Sequence, residues 1–101
     1  MSKEHPSLEE ALKRLRQALP GLRERFSVIS LGVFGSYVRK EERHRSDLDV
    51  LVEFDDAPSL FQFVELQNQL SEILGVKVDL VMKQALKPRI GKRILSEVIE
   101  V

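Results

Sequence analysis

A small α/β domain built on a short mixed β-sheet flanked by helices is the fold that this sequence predicts. Three observations predict it. Three apolar, β-branched runs of strand length alternate with amphipathic stretches of helical period. Their order, helix-strand-strand-helix-strand-helix, asks for a sheet covered by helices rather than a bundle or a sandwich. The 101 residues match one compact domain, spanning 1–101, with material for one small core.

Each element has its own warrant. Ser7 and Glu10 have capping-box spacing, and Leu8, Leu12, Leu15 and Leu19 then share one helical face. Pro20-Gly21 is expected to stop or break that helix, with residues 22–26 adding a further turn. VISLGVF, Val28–Phe34, reads as a buried strand ended by Gly35-Ser36. A short helix is expected within the polar residues 37–45. DLDVLVEF, residues 47–54, alternates and then turns apolar, as a second strand does. Ser59 is placed to cap a helix over Leu60–Leu74, which Gly75 closes. KVDLVM, residues 77–82, is a third strand. Lys87-Pro88 starts a terminal helix with Ile90, Ile94, Leu95 and Val98 as its apolar positions.

Composition excludes several classes. There is no cysteine, so no disulfide scaffold, thiolate zinc site or iron–sulfur cluster can form. Sixteen Lys+Arg balance sixteen Asp+Glu, which argues against a basic nucleic-acid coat. The apolar runs fall far short of the ~20 residues that span a bilayer, and the polar N-terminus carries no signal-peptide pattern. A cytoplasmic location is the expectation. Charge is segregated, however. Residues 47–56 hold five acids and no base, and residues 83–93 hold five bases and no acid. The basic segment could meet triphosphate, nucleic acid or an acidic partner, or form a solvated helix face. Tyr37, Phe61 and Phe63 could contribute to a partner surface, with Phe63 better suited to the core. His5 and His44 lack metal-ligand spacing and read as exposed.

Asp47 and Asp49 lie two apart on a predicted strand, so their carboxylates emerge side by side from one face. Such a pair repels itself unless a cation lies between, and a hard divalent ion such as Mg²⁺ suits oxygen ligands. Asp79 lies mid-strand and needs a partner if it is covered. Beside the second strand it would join the other two, and three carboxylates could hold two metals. Taken singly, each is more often an ordinary strand-end acid. Gly35-Ser36 follows a strand and precedes a possible helix, a geometry that offers backbone N–H groups to an anion. It is neither a Walker A loop nor a nucleophile elbow.

In combination the signals become specific. Gly35-Ser36, ten residues, Asp47-x-Asp49 and a later Asp79 resemble the nucleotidyltransferase superfamily typified by DNA polymerase beta. The chain is most similar to its minimal nucleotidyltransferases (MNT). The likeness runs through LGVFGSYVRKEERHRSDLDVLVEF, VDLV and KPRIGKRILSEVI. The resemblance implies a polymerase-beta palm-like fold. It implies that Gly35 and Ser36 hold the triphosphate of an incoming nucleotide and that Arg39 touches phosphate. Asp47 and Asp49 would bind two Mg²⁺, and Asp79 would bind the second and help activate the acceptor hydroxyl. One departure stands out: the family's glycine after that arginine is Lys40 here, so the local turn differs or Lys40 adds a phosphate contact.

The implied chemistry is attack of a hydroxyl on the α-phosphorus of a nucleoside triphosphate. A chain of this size has no room for an acceptor-binding domain, so the acceptor is expected to be another macromolecule. MNT proteins pair with helical HEPN proteins as antitoxin and toxin, and some transfer AMP onto a toxin tyrosine. The leading expectation is therefore an ATP- and Mg²⁺-dependent protein adenylyltransferase acting on a HEPN toxin. Two others stay open: an antitoxin that acts by contact alone, and a transferase for small molecules such as antibiotics, built as a homo-oligomer.

Overall fold

The computed structural model describes residues 6–40 and 47–101. His5 and His44 lie outside them. The elements run α1 (Leu8–Phe26), β1 (Val28–Phe34), α2 (Ser36–Arg39), β2 (Leu48–Phe54), α3 (Leu60–Leu74), β3 (Val78–Met82), a single 3₁₀ turn (Lys83–Ala85), α4 (Pro88–Glu97) and β4 (Ile99–Glu100). The sheet has the order β3-β2-β1-β4. β1 pairs antiparallel with β2 and β4, while β2 and β3 run parallel, so the sheet is mixed as expected.

The alternation of each strand sorts its side chains. Leu48, Val50, Val52 and Phe54 of β2 are buried, together with Leu31 and Val33 of β1 and Val78 and Leu80 of β3. They meet Leu12, Leu15, Leu19 and Leu22 of α1 and Leu66, Leu70 and Leu74 of α3 in one core. Each fully buried leucine contributes about 2 kcal/mol by removal of apolar area from water. The intervening residues of β2, Asp49 and Glu53, are only partly buried on the opposite face.

α1 does not stop at Pro20. It continues to Phe26, although Pro20 has no N–H to offer the preceding turn. The reason is tertiary: Leu19, Leu22 and Phe26 are all buried, and ending the helix would expose the last two. Of the expected capping box at its start, Ser7 accepts from the Glu10 N–H at 3.1 Å, and the Glu10 carboxylate turns to Arg14 at 2.8 Å. The box at Ser59 and Gln62 forms in both directions, and Gly75 closes α3 in the left-handed conformation.

α4 starts at Pro88, as expected. Of its apolar positions, Ile90 and Leu95 are 57% and 47% exposed. Its C-terminal end is held more firmly than its flanks. Val98 lies over Gly32, where a Cβ would come within 2.6 Å of Val98 Cγ2. β4 then adds two residues to the β1 edge. The expectation of a partner surface fails for Tyr37, which is buried; Phe63 packs against the core, as expected, and Phe61 is 78% exposed. Among the described residues no helix is long and apolar enough to cross a membrane.

Candidate active site

Gly35 ends β1 with φ +81° and ψ −149°, a region closed to residues with a side chain. A Cβ there would collide with Asp49 Oδ2. Glycine is therefore required twice, by the backbone and by the carboxylate pressed against it. Ser36 opens α2 directly after this turn, and Lys40 closes that helix with φ +59°. Lys40 thus adopts the left-handed conformation that a glycine would take without strain. Lysine bears the steric cost of that conformation. Lys40→Gly is expected to raise stability by about 1 kcal/mol, read as a higher urea midpoint at unchanged slope.

Asp49 pairs across the antiparallel ladder with Phe34 and across the parallel ladder with Asp79. The register thus sets two carboxylates on neighbouring strands side by side. Burial pushes the Asp49 carboxyl up to about 6. The Asp79 and Asp47 carboxylates and a hydrogen bond shared with Asp79 act in the same direction, against the pull of Arg39. Asp49 is therefore set beside Asp79, and Asp47 lies near enough to act on its charge. Among the described residues no group of three His, Cys, Asp or Glu is placed to hold a metal ion.

Two α3 side chains not singled out in the sequence hold the β3 backbone on either side of Asp79, whose own side chain is exposed. The Val78 N–H donates to Ser71 Oγ at 3.0 Å and the Leu80 N–H to Gln67 Oε1 at 3.1 Å. β3 is an edge strand, and α3 satisfies its outward N–H groups on both sides of the aspartate. Their i, i+4 spacing on α3 was visible in the sequence; their target was not.

Glu97, the last residue of α4, was also missed. The Gly35 N–H donates to Glu97 Oε2 at 2.7 Å, and Arg39 Nη1 donates to Oε1 at 3.1 Å and Oε2 at 3.0 Å. Partial burial raises the Glu97 carboxyl, but the Gly35 N–H and the Arg39 and Arg93 charges outweigh it, so it lies below the usual range. A depression of about 260 Å³ opens here, lined by Gly35, Arg39, Asp49, Ile90, Arg93 and Glu97 among others. It joins a carboxylate cluster to a cationic wall.

A glycine-serine turn after β1 and a cross-strand pair of aspartates on β2 and β3 are thus set together on a mixed sheet. The model of the nucleotidyltransferase domain family matches residues 15–101, and the chain belongs to that family, in its minimal form. It is 50% identical over 95 residues to the protein adenylyltransferase MntA of Thermococcus cleftensis, across 94% of this chain and 96% of that protein. A solved structure assigned as a minimal nucleotidyltransferase shares the fold with a TM-score of 0.80 at 37% identity, over 98% of this chain and all of that one (100%). The fold also matches a chain of the complex between a tri-AMPylated Shewanella oneidensis HEPN toxin and its MNT antitoxin. That match has a TM-score of 0.65 at 20% identity and covers 89% of this chain and 70% of that one.

Proposed function

We propose that this chain is a Mg²⁺-dependent protein adenylyltransferase that moves AMP from ATP onto a hydroxyl of a HEPN-type toxin and so acts as its antitoxin. The observation that carries this reading is the Asp49–Asp79 pair, set in register on parallel strands beside the Gly35-Ser36 turn. Kinship supports the acceptor: a relative with half its residues identical is a protein adenylyltransferase, and a fold neighbour is a chain of the complex between an AMPylated HEPN toxin and its MNT antitoxin.

The donor chemistry fits Mg²⁺. The three candidate ligands are carboxylates, and Asp49, pushed up to about 6 by burial and its neighbours, has a negative charge that the site does not balance by itself. Asp47, Asp49 and Asp79 would hold the ion or ions, which when bound supply charge neutralisation at the phosphates. The rest falls to the chain. Gly35 N–H, Ser36 and Arg39 hold the triphosphate and orient its α-phosphorus towards the open face of β2 and β3. The acceptor oxygen bonds to that phosphorus in line, its proton passes to the Asp79 carboxylate, and the bond to the bridging oxygen breaks to release pyrophosphate.

The test is direct. The protein is incubated with a HEPN partner, Mg²⁺ and α-labelled ATP, beside an Asp47→Ala/Asp49→Ala variant. Label is expected on the partner with the native chain and not with the variant. A variant that still neutralises the partner, with no label in either case, would falsify the transfer and favour neutralisation by contact.

A further inference from the structure

Glu97 stands in a place that helix energetics does not explain. An acidic side chain at the last residue of a helix faces the negative end of the helix dipole. α4 has no basic residue in its last turn to offset it. The carboxylate is instead satisfied from across the fold, by the Gly35 N–H and by both contacts from Arg39 Nη1. Its side chain is only 19% exposed.

These donors are the ones that a triphosphate needs. A phosphate oxygen and a carboxylate oxygen are the same kind of acceptor to an amide N–H and to a guanidinium. The Gly35 N–H has one proton, already committed at 2.7 Å, so it cannot serve both. We propose that Glu97 is a built-in occupant of the triphosphate seat, a carboxylate latch that nucleotide must displace before it can bind. The inference rests on the nucleotidyltransferase reading of the site and adds a competitor to it.

The surroundings allow the displacement. α4 carries Ile90 and Leu95 largely exposed, so the core grips the helix lightly along its length. Its firm attachments lie beyond Glu97, at Val98 over Gly32 and at β4. Rotation of one side chain about its own stem frees the turn without unpairing the sheet. Arg93, which faces the same depression, can receive either anion.

Isothermal titration with two probes tests the latch: a non-hydrolysable ATP analogue with Mg²⁺, and inorganic tripolyphosphate alone. Glu97→Gln keeps the shape and removes the charge; Glu97→Ser also removes the reach. Circular dichroism checks that both variants are folded. Both are expected to bind both probes about two- to fivefold more tightly than the native chain, the upper part of the range that a partly exposed ion pair is worth. General damage to the site would loosen binding, so a gain is diagnostic. Equal or weaker binding by folded variants, with native transfer activity intact, overturns the latch and leaves the function standing. No binding of either probe by any of the three proteins overturns the function and the latch with it.

Discussion

Asp49→Asn is expected to abolish nucleotidyl transfer, by about 10³-fold or more, and to make the metal-free protein more stable. Both effects follow from one carboxylate. In the proposed reaction Asp49 is the central ligand, flanked by Asp47 and cross-strand from Asp79. Loss of one preorganised charge from a site of this kind costs at least about 10²–10³ in rate. Without a cation the same charge is a burden. Its carboxyl is raised to about 6 by burial and by two like charges, whereas an unfolded aspartate titrates near its ordinary value of 3.8. A carboxyl raised on folding binds its proton more tightly in the native state. The stability this confers is present below about pH 4 and is lost as pH rises through about 6. The full shift corresponds to about 3 kcal/mol, and partial exposure reduces it to about 1–2 kcal/mol. Other carboxylates titrate too, so the difference between variant and native protein isolates this one. Urea midpoints without metal should favour Asp49→Asn at about pH 7.5 and converge towards about pH 4.5. An unchanged difference across that range would show that Asp49 is not held against its charge. Saturating Mg²⁺ should narrow the gap at the higher pH by stabilising only the native carboxylate.

The trade between stability and chemistry also explains what the sequence disclosed. The elements that bury most apolar surface were legible, because their periodicity is the record of that burial. α3 is an example, from the Ser59 box to the Gly75 cap. Asp47, Asp49 and the Gly35-Ser36 turn were legible for the opposite reason. Two acids one residue apart at the start of a buried strand oppose the local preference for apolar residues, a conflict that points to function. What stayed hidden is whatever depends on pairing over distance. Pro20 looked like a stop, because the burial of Leu22 and Phe26 that carries α1 past it is tertiary. Two residues of β4 are too short for any period, and only the β1 edge makes them a strand. Glu97 is the strongest case. In the segment RILSEV it reads as one more solvated helix acid, and only the folded chain brings it across 62 positions to the Gly35 N–H.

Gly35→Ala is the second large effect, and it separates a structural glycine from a chemical one. Alanine at φ +81° and ψ −149° leaves the allowed regions, at a cost of about 1–3 kcal/mol. Its methyl would also meet Asp49 Oδ2, so either the turn or the aspartate must move. The first movement withdraws the N–H that binds Glu97 and is proposed to serve the triphosphate, and the second displaces the proposed central ligand. A misplacement of about 1 Å in such a site costs about 10²-fold in rate. The expected outcome is therefore a paired loss, about 2–4 kcal/mol in stability and about 10²-fold or more in transfer. Gly75→Ala is the control. Gly75 also has positive φ, +69°, but its nearest neighbour is Arg14 Nη1 at 4.0 Å, the mobile end of a long side chain. That variant should lose about 1 kcal/mol and keep its rate. If Gly35→Ala behaves like Gly75→Ala, the turn carries only backbone strain and the contact with Asp49 is incidental. A rate loss well beyond the stability loss ties the glycine to the chemistry, because both turns carry positive-φ strain, larger at Gly35, and only the Gly35 turn touches a carboxylate.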